Sequence, residues 1–291
     1  MDTKLTGKTR IESDLIGARE IPAEALYGVQ TLRGIENFSI SKFRLSEYPL
    51  FIKGLAITKM AAAMANFELG LLTVEQKDAI IAACGEILDG KHHDQFPVDM
   101  IQGGAGTTTN MNANEVIANR ALELMGHERG EYQYCSPNDH VNCSQSTNDA
   151  YPTAIHIGMY FKHLQLLPHL EELIASFRKK GEEFSQIIKM GRTQLEDAVP
   201  MTLGQTFNGF ASILQDEIAH LNEAAADFLV VNMGATAIGT GICAEPGYAE
   251  KCIAALREIT GWDIRLSSDL VGATSDTSCL VGYASAMKRV C

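Results

Sequence analysis

Apolar side chains recur every three or four residues along the second half of the chain, a spacing typical of amphipathic helices. Two long stretches show it, over about residues 153–188 and 202–231. Pro168 lies inside the first stretch, so we expect a kink or a missing backbone hydrogen bond there. A third stretch begins near Ser267 and still continues at Cys291. The pattern predicts three long helices.

The first half of the chain predicts shorter helices. Residues 48–72 are rich in good helix formers, and residues 73–76 (Thr-Val-Glu-Gln) have the sequence of a capping box. The helix that this box opens should reach about Leu88 and end at Gly90. Residues 1–45 are mixed and loop-rich, and few segments alternate as strands do. We therefore predict a mainly α fold, with an N-terminal, mostly helical domain over residues 1–143 and part of a long-helix bundle over residues 144–291.

Composition and charge narrow the classes of partner. The net charge is −12 with no basic stripe to offset it, which argues against nucleic acid. No apolar run approaches the roughly 20 residues of a membrane span, and the N-terminus lacks a signal-peptide core. Seven scattered cysteines, without C-x-x-C spacing, are typical of a reduced cytoplasmic protein. Cys135, His140 and Cys143 match no common zinc pattern, so we expect no metal site.

Three polar segments interrupt the predicted helices, and the first is the most distinctive. It runs over residues 103–115, where four small residues are followed by three threonines and three asparagines. It has few apolar side chains to bury, but it offers hydroxyls, amides and backbone N–H groups. A helical stretch follows over residues 115–125, and its N-terminus would add free N–H groups and a positive dipole end. The segment predicts a site for a small carboxylate or phosphate.

The second polar segment covers residues 144–149 and the third covers residues 189–200. The second could be a cluster of helix N-cap residues, because Ser, Thr, Asn and Asp all favour that position. The third joins the two longest predicted helices and could be an ordinary connecting loop. Each segment alone leaves these alternatives open. Three such segments at the boundaries of long helices favour a functional site.

In these segments the chain resembles the fumarase/aspartase superfamily, and most closely its aspartate ammonia-lyases. Residues 103–112 (Gly-Gly-Ala-Gly-Thr-Thr-Thr-Asn-Met-Asn) resemble the first conserved region. Residues 144–149 resemble the start of its central bundle, and residues 191–200 resemble its second region. The resemblance extends over nearly the whole chain, for example to residues 10–22. It implies elimination of ammonia from L-aspartate to give fumarate, with no metal or organic cofactor.

The resemblance also implies which side chains bind the dicarboxylate substrate. They are Thr107, Ser146, Thr147, Asn148, Thr193 and Gln194. Removal of a proton beside a carboxylate places two negative charges on one CO₂ group, and each preorganised donor there is worth roughly 3 kcal/mol. Gln194 stands where fumarases have histidine, and a glutamine cannot titrate near pH 7. This difference favours deamination over hydration.

One conserved region of the superfamily is absent from the sequence. The loop Gly-Ser-Ser-x-Met-Pro-x-Lys-x-Asn, with the serine thought to be the general base, would lie beyond Cys291. The catalytic residue is therefore unknown, and we expect a truncated chain that is weak or inactive alone. In the superfamily each site uses three subunits of a homotetramer, so a homo-oligomer is expected. Alternatives are a class II fumarate hydratase and a non-catalytic fragment or co-assembling subunit.

Overall fold

A computed structural model describes residues 7–291 of the chain. These residues form two compact units. The first unit comprises the described residues up to Met159 together with Leu229–Asp276, and the second comprises Tyr160–Phe228 and Thr277–Cys291. Helices dominate both units, which confirms the predicted mainly α class.

Nine α-helices lie within the described residues. They are α1 (Val29–Asn37), α2 (Pro49–Glu68), α3 (Val74–Leu88), α4 (Thr107–Leu124), α5 (Thr147–Glu183), α6 (Leu203–Ala226), α7 (Tyr248–Thr260), α8 (Leu270–Ser275) and α9 (Ser278–Val290). Strands form three two-stranded sheets in this part of the chain. Antiparallel pairs join β1 (Thr9–Asp14) to β2 (Gly17–Pro22) and β3 (Ile188–Thr193) to β4 (Glu196–Thr202), and β5 (Val230–Val231) is parallel to β6 (Arg265–Leu266).

The helix α2 forms the centre of the first unit and packs against α3 and α7. It is apolar on nearly all sides, as expected for a helix inside a core. Among the described helices, α2 alone is long and apolar enough to cross a membrane by length and composition, with a mean hydropathy of 1.3. The expectation that no apolar run approaches this length was therefore wrong. About two thirds of its apolar window (67 %) is buried inside the protein, so packing accounts for this composition.

The capping box predicted before α3 is present. The Thr73 hydroxyl accepts the Gln76 N–H, and the Gln76 side chain accepts the Thr73 N–H. Gly90 follows the helix with a left-handed φ of 88°, as expected for a glycine that ends a helix. The sequence pattern therefore located both ends of α3 correctly.

The first long helix begins at Thr147, six residues before the predicted start. Pro152 cannot donate to the carbonyl four residues back, so a helix is expected to begin near this proline or after it. That carbonyl belongs to Asn148, and the Asn232 Nδ2 donates to it over 3.0 Å instead. A side chain therefore replaces the missing helical bond, and α5 also continues through Pro168 to Glu183.

The third long helix is two helices in the structure, which corrects the prediction of one uninterrupted stretch. α8 ends at Ser275, and α9 begins at Ser278. The intervening Asp276 and Thr277 belong to residue types that hydrogen-bond locally and favour helix ends over helix interiors. The apolar period continues across this interruption and hides it. Helix α7 was also not predicted.

In the second unit, the C-terminal part of α5 approaches α6 closely. A Cβ atom added at Gly204 would lie 2.3 Å from the Gly181 carbonyl oxygen, so only glycine fits there. The rings of Phe177 and Phe210, with centroids 5.7 Å apart, pack farther along the same helices. Helix α6 itself begins with a second capping box, between Thr202 and Gln205.

Candidate functional site

The first polar segment is mostly helix, which corrects the prediction of a loop followed by a helix at Glu115. Only its first residues are irregular, because Gly104, Ala105 and Gly106 all have left-handed φ values of 72°, 51° and 93°. Helix α4 begins at Thr107, within the segment. Its first amides are also not free: the Thr107 N–H donates to Gly104, and the Thr109 N–H donates to Gln102 Oε1.

The polar side chains of this segment are buried, contrary to the expectation that it has little to bury. Asn110, Asn112 and Asn114 are almost completely inaccessible to solvent. Asn112 Nδ2 donates to the Gln95 carbonyl, and the Nδ2 atoms of Asn110 and Asn114 both donate to Asn142 Oδ1 over 3.1 and 3.2 Å. The alternating asparagines therefore connect α4 to its neighbours inside the core.

Glu115, at the end of the segment, caps a different helix. Its carboxylate accepts the N–H groups of Gly28, Gln30 and Thr31 and the Thr31 hydroxyl, over 2.6–3.0 Å. These groups lie at the N-terminus of α1, where a helix has unpaired N–H donors. Burial raises the pKa of Glu115 to about 7, although these hydrogen bonds oppose the shift. The role of Glu115 is structural.

The second polar segment caps α5, as its alternative interpretation proposed. The Ser146 N–H donates to Asp149 Oδ1 over 2.9 Å, and the Ser146 hydroxyl accepts the Asn148 N–H over 3.3 Å. The other oxygen of Asp149 accepts the N–H groups of Gly234 and Thr236. Asn148 Nδ2 donates to the Ala237 carbonyl over 2.7 Å. The first turn of α5 is therefore fixed by the 234–237 segment of the same unit.

The structure brings the N-terminus of α4 beside the first turn of α5. Asn110 Nδ2 donates to the Thr147 hydroxyl over 3.2 Å. A Cβ atom added at Gly106 would lie 2.6 Å from the Tyr151 ring. Four of the predicted site residues are consequently gathered in the first unit, an exposed Thr107 and the half-buried Ser146, Thr147 and Asn148.

The third polar segment is a β-hairpin and not an irregular loop. Strands β3 and β4 are joined by a two-residue turn, Gln194-Leu195, in which both residues have left-handed φ values of 48° and 72°. This is the conformation of a type I′ turn, which matches the twist of the strands. Thr193 and Gln194 are exposed at this hairpin in the second unit.

Sequence reasoning missed the buried groups beneath Ser146 and Thr147. Lys59 is completely buried in α2, and its Nζ donates to Asn142 Oδ1 and Gln145 Oε1 over 2.9 Å each. Burial lowers the pKa of Lys59 to about 7, and burial raises the pKa of Asp149 to about 6 against the effect of its N–H donors. Lys59 is one of two lysines in a mostly apolar helical stretch, and this was the available signal.

The cysteines and histidines of the sequence show other roles. All seven cysteines are free thiols. Burial raises the pKa of Cys135 to about 12, and the ring Nδ1 of His140 accepts the Ser136 N–H over 2.7 Å. Within residues 7–291, no three His, Cys, Asp or Glu side chains are grouped so that they could hold a metal ion.

Comparisons with known proteins show which family the chain matches. Residues 17–291 match the protein family described as lyase. An aspartate ammonia-lyase of Pseudomonas canavaninivorans is 54 % identical over 96 % of this chain and 59 % of the relative. An aspartate ammonia-lyase of Escherichia coli strain K12 is 52 % identical over 98 % of this chain and 60 % of the relative. The chain thus spans about three fifths of the length of these relatives.

Solved structures show the same fold. A fumarate lyase:delta crystallin from Brucella melitensis, bound to cobalt, has a TM-score of 0.96 and 50 % identity over 97 % of this chain and 62 % of that one. A class II fumarase from Schistosoma mansoni has a TM-score of 0.91 and 32 % identity over the same shares. With a family match over nearly its whole length, the chain belongs to the lyases of the fumarase/aspartase superfamily.

Proposed function

We propose that the protein is an ammonia-lyase that converts L-aspartate to fumarate and ammonia. A proton leaves the carbon beside one carboxylate, the C–N bond breaks, and a C=C bond forms. The observation that carries this proposal is the cluster of hydroxyl and amide groups where α4 meets α5, in a chain more than 50 % identical to aspartate ammonia-lyases. Such groups stabilise negative charge that develops on a carboxylate.

Two hydroxyls of this cluster each have a proton left to donate. The oxygens of Ser146 and Thr147 already accept hydrogen bonds from the Asn148 N–H and from Asn110 Nδ2. A hydroxyl has one proton and two lone pairs, so each hydroxyl keeps its proton for a further acceptor. We assign these protons to one carboxylate of the substrate. The Thr107 hydroxyl donates to the Gly104 carbonyl over 2.7 Å, so it must rotate before it binds a carboxylate.

The remaining assignments follow the family resemblance. Asn148 would contact the amino or carboxylate end of the substrate, and Thr193 would bind a carboxylate. Gln194 supports deamination over hydration, since its neutral amide cannot act as an acid or base. No step of this proposal uses a metal or an organic cofactor.

We also propose that the protein is a cytoplasmic homo-oligomer, a tetramer as the family resemblance implies. Seven free thiols support a reducing compartment. Large apolar side chains exposed on the second unit support association, among them Ile188, Val199, Phe210 and Ile213. Analytical ultracentrifugation measures this directly, and a monomer at micromolar concentration would contradict it.

The catalytic proposal is tested with the protein expressed from its complete reading frame. Fumarate absorbance is followed with L-aspartate and, separately, with L-malate. We expect fumarate from aspartate, whereas turnover of malate alone would indicate a hydratase. Absence of turnover with both substrates would overturn the proposal.

A matched pair of variants then tests the assigned hydroxyl. Thr147→Val keeps the shape of the side chain and removes its donor, so kcat/KM for aspartate should fall about a hundredfold. Thr153→Val is the control, because its buried hydroxyl lies on the same helix and has no hydrogen-bond partner among the described residues. Equal losses in both variants would exclude a specific role for Thr147.

A further inference from the structure

Lys59 is an unusual residue for its position in the core. The surrounding α2 residues 55–63 are mostly alanine, leucine and isoleucine, and the whole Lys59 side chain is inaccessible to solvent. Burying an ammonium group is unfavourable compared with burying an apolar side chain of the same length. Packing alone therefore does not explain a lysine at this position.

The Lys59 ammonium holds the segment that leads into α5. Its two acceptors, Asn142 Oδ1 and Gln145 Oε1, both lie in this segment. The other ends of these amides bind the segment itself: Asn142 Nδ2 donates to the Gln145 carbonyl, and Gln145 Nε2 donates to the carbonyls of residues 141 and 143. The segment also contains Ser144 at a left-handed φ of 59°, a conformation that needs such support.

The same network reaches a proposed substrate-binding hydroxyl. Asn142 Oδ1, which accepts from Lys59, also accepts from Asn110 Nδ2 over 3.1 Å. Asn110 Nδ2 in turn donates to the Thr147 hydroxyl over 3.2 Å. The orientation of the Thr147 proton thus depends on Asn110, and the orientation of Asn110 depends on the amide that Lys59 holds.

The charged neighbour of Lys59 contributes to the same arrangement. The titratable groups that act on its ammonium are the carboxylate of Asp149 and the thiols of Cys84 and Cys252. Burial raises the pKa of both thiols to about 12, so they stay neutral. Asp149 is therefore the counter-charge, and it holds the Ser146 N–H.

We propose that Lys59 is a positioning residue for Ser146 and Thr147, whose hydroxyl protons it aims at the substrate carboxylate through the amides of Asn142, Gln145 and Asn110. This inference rests on the proposed function. Lys59 has no place in the reaction itself. It sets the geometry of the donors before substrate arrives, and preorganised donors are the effective ones.

The test uses Lys59→Met, which keeps the length of the side chain and removes the ammonium. KM for L-aspartate and the inhibition constant of succinate, a dicarboxylate without an amino group, should both rise about tenfold or more. A residue needed only for folding would lower the fraction of active enzyme, and would leave KM and the succinate constant unchanged.

Two asparagines of α4 provide a matched pair that does not depend on Lys59→Met folding. Asn110→Ala removes the link to Thr147, so KM and the succinate constant should rise. Asn112→Ala removes an equally buried amide that bonds the Gln95 carbonyl. It should lower the thermal midpoint comparably and leave both constants within about twofold. Unchanged constants in Asn110→Ala, or equal rises in both variants, would overturn the inference.

A second measurement separates this inference from the proposed function. If the wild-type protein converts no aspartate, the proposed function fails. Amide hydrogen exchange over residues 142–148 then decides the role of Lys59. Faster exchange there in Lys59→Met than in Asn112→Ala supports the positioning role, and equal exchange in the two variants contradicts it.

Discussion

The first and third polar segments were both predicted as candidate binding segments, but their structures are opposite. Residues 103–115 enter a helix, and their asparagines and Glu115 are buried with partners in the same unit. Residues 189–200 form a hairpin whose side chains are almost all exposed, including apolar ones such as Leu195 and Val199. Polar composition thus indicates where hydrogen bonds are made, and not whether a segment lies at the surface.

The difference arises from what surrounds each segment. Helix α4 is enclosed by α1, α3 and the segment before α5, so its amides satisfy carbonyls and amides of those neighbours. The hairpin is a local structure, held mainly by its own ladder of backbone hydrogen bonds. We therefore expect substitutions in the first segment to lower stability strongly, and those in the hairpin to change it weakly.

The largest effect is expected at Glu115. Glu115→Ala leaves three backbone N–H groups and a hydroxyl of the α1 terminus without their acceptor, and we expect a loss of about 3–5 kcal/mol in the free energy of unfolding. Glu196→Ala removes an exposed carboxylate of the hairpin and should change stability by less than about 0.5 kcal/mol. Urea unfolding followed by circular dichroism measures both, and similar losses would contradict the comparison.

The glycine before α4 should be the next most sensitive position. Gly106→Ala places a Cβ atom 2.6 Å from the Tyr151 ring at a φ of 93°, so we expect a loss of about 2–4 kcal/mol. Gly209→Ala in α6 is the matched control. Its added Cβ meets no atom within 4 Å, and alanine should raise stability by about 0.5–1 kcal/mol. If both variants lost stability, neither backbone strain nor the contact with the Tyr151 ring would explain the loss in Gly106→Ala.

The difference between buried and exposed regions should also affect ion pairs and their dependence on pH. The Arg120 guanidinium, with smaller help from His92, lowers the pKa of Glu86 to about 2, and the Glu86 side chain is 21 % exposed. The pKa of Glu86 is lower in the native protein than in the unfolded chain, where it is near 4.5. The ion pair therefore contributes its full stability above pH 4.5. This contribution is lost as the pH falls through about 2. Glu86→Gln should cost about 1–2 kcal/mol at pH 7 and almost nothing below pH 2, after allowance for solvent screening.

The hairpin offers the control for this ion pair. Arg192 and Asp197 are 3.2 Å apart, but their side chains are 70 % and 66 % exposed. Asp197→Asn should therefore change the free energy of unfolding by less than about 0.5 kcal/mol at either pH. A pH-dependent loss in Asp197→Asn as large as that in Glu86→Gln would show that exposure does not explain the difference between the two ion pairs.

Sequence patterns predicted best where local chemistry decides the structure. The limits of α3 followed from Thr73, Gln76 and Gly90, all of which act on their immediate neighbours. The start of α5 was missed because Asn232, far away in sequence, replaces the bond that Pro152 lacks. The break between α8 and α9 was missed because the apolar period continues across it.

The candidate site shows the same limit. The motif residues Thr107, Ser146, Thr147 and Asn148 were identified from sequence, and the structure places them in one unit. Their substrate contacts remain a prediction. The network beneath them could not be predicted from spacing, because Lys59 is connected to residues 83 and 86 positions away. Only packing brings such a residue to its partners.

The smallest expected effect lies at the tip of the hairpin. A type I′ turn favours glycine at its second position, and Leu195 stands there with a φ of 72° and 93 % of its side chain exposed. Leucine in this conformation costs about 1–2 kcal/mol, and glycine loses more entropy on folding, so Leu195→Gly should stabilise the protein by about 0.5 kcal/mol. Leu195→Ala keeps the backbone strain and should be neutral. Thermal unfolding of the two variants distinguishes backbone from side chain. A loss in both would show that Leu195 packs against something, and the hairpin would then resemble the buried segment more than its exposure indicates.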